Sequence, residues 1–470
     1  MIRRASQESA AAGENTTANH KYEMDMCSGP LLPKLITFAI PLMLSGILQL
    51  MFNAVDLIVV GRFSGSTALA AVGSTTALIN VFINLFMGVS QGTNVLVAQS
   101  YAAGKKKDVA NAVHTSVMVA VISGVFMAML GQLLSGWALK QMGTPENVID
   151  QATLYMRIYF LGMPFFMLYN YGAAILRAVG DTRRPLVFLI ISGVINACLN
   201  VFLVVAFHLG VAGVAIATAV SQGISCILVM LCLIRTRADY RLNLRRLAID
   251  GWCLKRILLV GIPAGIQGTV INFSNVLLQS SVNSFGATSM AGYTAANNIL
   301  GFLYASINAV TQSCMSFTSQ NYGGGQWKRM DLVLAECLGF TTVLALILGC
   351  GAYAAGPQIL RIYTDEPEVV TAAMEILAYT STTYFLCGIM DLFPGAMRGM
   401  GYSLAPMVLS IIGTVGTRIV WIYGFFPYNR TLDFLFISYP FSWVFTIALQ
   451  VACYLVLRKM QKKRRQHMAG

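Results

Sequence analysis

Uncharged apolar runs of about 20 residues recur along this chain from end to end, each long enough to cross a hydrocarbon core of roughly 30 Å as a helix. No soluble fold of 470 residues hides so many of them, and composition agrees, with 56% hydrophobic residues and only 11% charged. Lipid offers no partner for backbone amides, so segments of this kind can only be helices bundled together. The fold class is an all-α polytopic membrane protein.

Loops marked by Gly, Pro and charge clusters separate twelve predicted spans, near 35–60, 70–98, 110–137, 151–176, 186–207, 211–234, 257–284, 292–320, 331–355, 370–396, 405–426 and 434–457. Assigning loops alternately to the two sides collects Lys and Arg on one of them. That side holds KKK at 105–107, Arg183 and Arg184, RTRADYRLNLRR from 235, and the terminal RKMQKKRR; the other has only Arg62, Lys140, Arg361 and Arg430. The positive-inside rule then places both termini in the cytoplasm. It also explains the net charge of +13 as an orientation signal rather than a nucleic-acid surface. The basic end reads as an anchor beside anionic lipid. Ten cysteines lie singly, mostly inside apolar segments and without CxxC spacing, so neither zinc nor a disulfide framework is expected.

The chain repeats itself at an offset of 221 to 222 residues. Pro41 aligns with Pro263, Gly46 with Gly268, Asn53 with Asn275, Gln91 with Gln312, Gln99 with Gln320 and Gly104 with Gly325, and LRAVGDTRRP aligns with MRGMGYSLAP. Six spans per unit is an even number, so the two units enter the membrane in the same direction as pseudo-symmetric six-helix bundles. The expected organisation is a disordered cytoplasmic tail over 1–30, an N-lobe over 31–234, a basic cytoplasmic linker over 235–256, a C-lobe over 257–457 and a basic cytoplasmic tail over 458–470. Paired bundles suit alternating access about a central cavity.

Within the first span stands Asp56, after 21 consecutive uncharged residues, Leu35 to Val55. An ionised Asp near a span's centre costs roughly 2.5 to 3.5 kcal/mol on insertion scales, so it marks a function before it marks packing. Gln49, Asn53 and Asp56 follow i, i+4, i+7 spacing and share one polar helix face. Asp56 lies six residues from Arg62, Asn200 eight from His208 and Thr218 eight from Gly210, which puts all three at similar depth, roughly 9 to 12 Å below the outer surface at 1.5 Å per residue. A carboxylate there can take a proton or hold a sodium ion with neutral oxygens. The second unit has Leu278 at the position of Asp56 and offers Asn275 and Gln279 but no acid in its first span. Asp391 and Arg418 are further charges inside apolar sequence; their spans set them about 10 Å apart along the normal, so an ion pair and a substrate or relay role both stay open.

NAVDLIVVGRFSGSTALAAVG, ILRAVGDTRRPL and GVAGVAIATAVSQ, in this order and spacing, resemble the multidrug and toxic compound extrusion (MATE) family over about 31–457. The resemblance implies two six-helix lobes and export of organic, often cationic, compounds by cation-coupled antiport. It also implies a cation site at Asp56, Asn196, Asn200 and Thr218, where Asn200 replaces the family's acid. With one carboxylate fewer, protons are favoured as the coupling ion and sodium at Asp56 is the alternative; no other cofactor or metal is expected. The nearest rival is a flippase for lipid or lipid-linked saccharide, which for anionic lipid would want a basic cavity, with Arg157 and Arg418 as the candidates. HExxH, GxSxG and close carboxylate or histidine pairs are missing from the spans, so an enzyme is not expected. The expected setting is a bacterial cytoplasmic membrane, as a monomer, with small organic substrates, lipid and no nucleic acid as partners.

Overall fold

The computed structural model describes residues 22–361, 364 and 366–469, and among these every regular element is helical. Twelve spans follow in chain order: α1 (Leu31–Ser64), α2 (Ser66–Ala102), α3 (Lys106–Gln141), α4 (Glu146–Leu161 with Met163–Ala178), α5 (Arg183–Ala206), α6 (Gly210–Arg235), α7 (Gly251–Asn283), α8 (Ala287–Gly323), α9 (Trp327–Ala354), α10 (Pro367–Thr380 with Tyr384–Gly399), α11 (Leu404–Tyr428) and α12 (Leu432–Lys463). Nine are long and apolar enough individually to cross a membrane. Two more, α4 and α10, are bent by 46° and 48°.

Each bend has a local cause. In α4 it falls at Gly162, just before Pro164, which has no N–H to continue the ladder. In α10 it falls at 381–383 rather than at Pro394. There Thr380, Ser381, Thr382 and Thr383 each turn a hydroxyl back to the carbonyl four residues earlier, an arrangement that bends helices. The twelfth span, α8, is diluted by Ser306, Ser313, Ser316, Thr318, Ser319, Gln320 and Asn321, all buried. It packs against α1, α2, α9 and α10, so its polar groups meet protein rather than lipid.

The repeat is visible in the backbone as well. Gly65 and Gly286, Gly104 and Gly325, and Gly180 and Gly401 are three pairs at one offset, and all six have positive φ. The bundles are nevertheless not independent on the side that carries the chain ends. There Leu31, Leu35 and Phe38 of α1 join the core of the second repeat with Cys314, Phe317 and Val333, while Cys253 and Ile257 of α7 join the core of the first. Helices α2 and α7 meet through glycines. A Cβ on Gly88 would lie 2.1 Å from the Gly265 nitrogen, and one on Gly92 would lie 2.2 Å from the Ile257 oxygen.

Cross-lobe hydrogen bonds among the described residues gather in these same halves. Gln99 Nε2 donates to the Gly399 carbonyl (2.8 Å) and Gln320 Nε2 to the Ala178 carbonyl (2.7 Å), a pair related by the repeat. Ser316 donates to Asn94 Oδ1 (3.1 Å), and Arg398 Nη1 to Gln91 Oε1 (3.2 Å).

The expected disordered tail is corrected in part: residues 1–21 lie outside the described residues, but 22–30 form an ordered strap across both lobes. On the first lobe, Glu23 accepts from Tyr101 (2.8 Å) and Tyr240 (3.0 Å), the Met24 amide donates to the Val179 carbonyl (3.3 Å), and Arg184 lies over the Tyr22 ring. On the second, the buried Met26 donates to Gln320 Oε1 (3.3 Å) and accepts from Asn321 (3.0 Å), and Arg329 donates to the Ser28 and Gly29 carbonyls (both 2.8 Å). The buried Gln320 Oε1 and the buried Asn321 amide need partners, and the strap supplies a donor to the first and an acceptor to the second that a polar tail sequence does not advertise. The linker is ordered too. Tyr240 and Leu242 are buried, the Asn243 amide donates to His114 (3.1 Å), and α7 starts at Gly251 because Asp250 caps it at the Cys253 amide (2.8 Å).

Candidate coupling site and its surroundings

Asp56 is 7% exposed on α1 and turned toward α5 and α6. Gly193 makes the approach of α1 to α5 possible, since a Cβ there would fall 1.7 Å from the Phe52 ring. The carboxylate accepts from the Asn200 side-chain amide at one oxygen and from the Thr218 hydroxyl at the other (3.2 Å). Asn200 also donates to Asn196 Oδ1 (3.1 Å), and Asn196 in turn donates to Thr218 (3.5 Å) and Ser221 (3.4 Å). Asn196 and Asn200 stand four apart on one face of α5, as Thr218 and Ser221 stand three apart on α6. One buried acceptor, Asn200 Oδ1, has no partner among the described residues. Past Asn200, α5 widens into π-helical turns over Phe202–Ala206, a distortion frequent at functional sites.

The four residues of the expected cation site therefore come together. Gln49 and Asn53 do not join them: both remain exposed and make no hydrogen bond among the described residues, so α5 and α6 close the pocket rather than α1's own amides. Three neighbours were not foreseen. Ser221 extends the network, and Tyr155 and Tyr159 of α4 lie within electrostatic reach of Asp56. Ser221 could have been read from its i+3 spacing to Thr218 on α6; the two tyrosines could not, because α4 arrives only by tertiary packing.

In the second lobe, Arg418 and Asp391 form no ion pair. Arg418, 3% exposed, donates to Asn275 Oδ1 (2.9 Å) and Ser442 (3.4 Å) and lies 4.3 Å from the centre of the Tyr439 ring. Asp391 is within reach of Arg398 and Tyr304 instead. Gln279 is exposed and makes no hydrogen bond among the described residues, and Arg157 is exposed on α4. The sequence reading missed Arg398, which lies in the motif after the bend of α10 and donates to Gln91 and to Gln267 (2.6 Å).

The MatE family profile matches this chain twice, over 41–202 and 263–423, the same two copies that the repeat and the paired glycines delimit. The chain belongs to the MatE family. This MatE chain is 30% identical to "Probable multidrug resistance protein YoeA" of Bacillus subtilis (strain 168), across 91% of its own length and 94% of that protein's. It is 25% identical to "Probable multidrug resistance protein NorM" of Thermotoga maritima, across 82% and 84%. Among solved structures it superposes on a multidrug resistance MATE family transporter in an outward-facing conformation with a TM-score of 0.86 at 21% identity, covering 93% of this chain and 98% of that one. That likeness is one of fold.

Proposed function

We propose that this MatE chain is a secondary active efflux transporter that exports organic, often cationic, compounds in exchange for an inward-moving cation. The reading places it in a bacterial cytoplasmic membrane, with the side that carries the chain ends and the strap facing the cytoplasm. One observation carries it: a solitary buried carboxylate, Asp56, held only by neutral groups of two neighbouring helices. Neutral donors stabilise the charged form without cancelling its charge, so gain of one cation changes the pocket from charged to neutral. With Asn200 in place of a second acid, one proton makes the pocket neutral, which favours the proton over sodium.

The test is efflux from liposomes holding purified protein, with a panel of cationic dyes under an imposed pH or sodium gradient. Dye movement should follow the pH gradient in sodium-free buffer. Movement only with sodium, at constant pH, would reassign the ion, and flux that neither saturates nor responds to either gradient would reject antiport.

A further inference from the structure

The repeat provides an internal control for every cross-lobe contact, and one pair breaks the symmetry. In the second lobe both terminal nitrogens of Arg398 have partners, Nη1 donating to Gln91 across the interface and Nη2 to Gln267, with Asp391 two turns earlier within electrostatic reach, while its Nε is buried without a partner among the described residues. The equivalent arginine of the first lobe is Arg177, at the same place in the motif LRAVGD. Two of the three groups that answer Arg398 are altered around it. Asp391 corresponds to Asn170, whose amide donates to the Phe166 carbonyl (2.8 Å). Gln267 corresponds to Ser45, whose hydroxyl donates to the Pro41 carbonyl (2.8 Å). Gln91 corresponds to Gln312, which is retained but makes no hydrogen bond among the described residues.

The Arg177 side chain likewise has no hydrogen bond or ion pair among the described residues, so its terminal nitrogens lack the partners that those of Arg398 have and its Nε, like that of Arg398, is buried without one. From Asn170 to Thr182 every residue is buried except Arg177, which keeps partial access. Protein thus wraps this helix end, where the neighbouring Ala178 carbonyl accepts from Gln320 of α8 in the other lobe. A guanidinium in such a place, with no carboxylate beside it and only the Tyr169 hydroxyl within electrostatic reach, favours an oxyanion, since its fork of donors matches a carboxylate.

We propose that Arg177, with Gln312 from the opposite lobe, receives the carboxylate of a transported organic acid or zwitterion. The inference rests on the efflux reading and deepens it: the N-lobe then offers Asp56 to a cation and Arg177 to an anionic group, at different depths.

A rhodamine bearing a free benzoate and its methyl ester differ only in that carboxylate, and both can be followed in the same liposomes. In R177Q the ratio of KM for the acid to KM for the ester should rise roughly tenfold, as expected for loss of a charge-assisted bond. R177K should recover part of it. N170D, which installs the carboxylate that the second lobe has, should raise the ratio as well without touching the arginine. Export of the ester marks a folded protein and tests the efflux reading by itself; if wild type exports neither dye, that reading fails and takes this inference with it. An unchanged ratio in both R177Q and N170D, while the ester is still exported, would overturn the carboxylate site alone. An effect equal for both dyes and seen only in vesicles containing phosphatidylglycerol would assign the pair to a lipid phosphate and overturn it too.

Discussion

Asp56→Asn keeps the size of the side chain and removes its charge, so it separates the carboxylate's chemistry from its packing. The amide can still accept from Thr218, and we expect a folded protein that binds dye but no longer exports it against a gradient, read as flux in liposomes beside thermal unfolding. Wild-type export by a well-expressed variant would show the charge to be structural at most. Asn200→Asp places a second carboxylate against Asp56, and a pocket with two acids keeps one negative charge after taking up a proton. Its export should therefore become sodium-sensitive or change its pH profile. Asn196 came only with the family resemblance, whereas Asp56, Asn200 and Thr218 were legible in the sequence because depth along a span is nearly arithmetic. Rotation about the helix axis is not, which is why Gln49 and Asn53 share Asp56's face in the sequence yet stay outside its pocket.

Helix packing in a membrane turns on how closely backbones approach, since lipid is as apolar as the side chains it would displace. The α2–α7 contact is the extreme case here: glycines meet backbone, and backbone cannot move aside. A Cβ on Gly265 would sit 2.3 Å from the Leu85 carbonyl oxygen and 2.8 Å from its Cα. Gly265→Ala should thus cost at least about 1–3 kcal/mol of stability, the usual range for overpacking, and lower the midpoint of thermal unfolding. Gly301, with open space around its Cβ position, is the matching control and should tolerate Ala. Hydropathy found the elements but set α7 six residues late, because Trp252, Lys255 and Arg256 look like loop until Asp250 is recognised as a cap. It also could not say that α8, the most polar span, lies among α1, α2, α9 and α10. Its buried Ser, Thr, Gln and Asn side chains are the interface between lobes, and an interface of that kind resembles neither lipid nor loop in composition.

For two lobes to alternate, one end of the molecule must be closed while the other opens, and here the closing contacts lie on the side of the termini. Gln99 and Gln320 cross there in opposite directions, and the strap ties the pair to both lobes, with Gln320 itself accepting from Met26. Asp25 fixes the strap's turn. Burial would raise its pKa, but the Ser28 hydroxyl, the Cys27 amide and Lys34 outweigh it and hold it below the ordinary carboxylate value. A depressed value means that Asp25 stabilises the strap above its unfolded pKa, near 3.9, and that this contribution fades only as pH falls through the lower folded value. The strap should therefore stay docked throughout the near-neutral range in which a proton gradient drives transport. Removing residues 1–29 takes away partners of Tyr101, Tyr240, Gln320, Asn321 and Arg329 together, while leaving both lobes and the Asp56 pocket intact. We expect the truncated protein to open more readily on this side. Single cysteines at Gln99 and at Gln320, in a background lacking native cysteines, should react faster with an impermeant thiol reagent supplied to this face of the truncated protein in vesicles. A cysteine at Asn147, on the opposite face, should show no change from that side. Equal rates at positions 99 and 320 with and without the strap would mean that the remaining glutamine and the glycine contact close this end unaided, leaving the strap a passenger on a gate that α2, α7 and α8 already form.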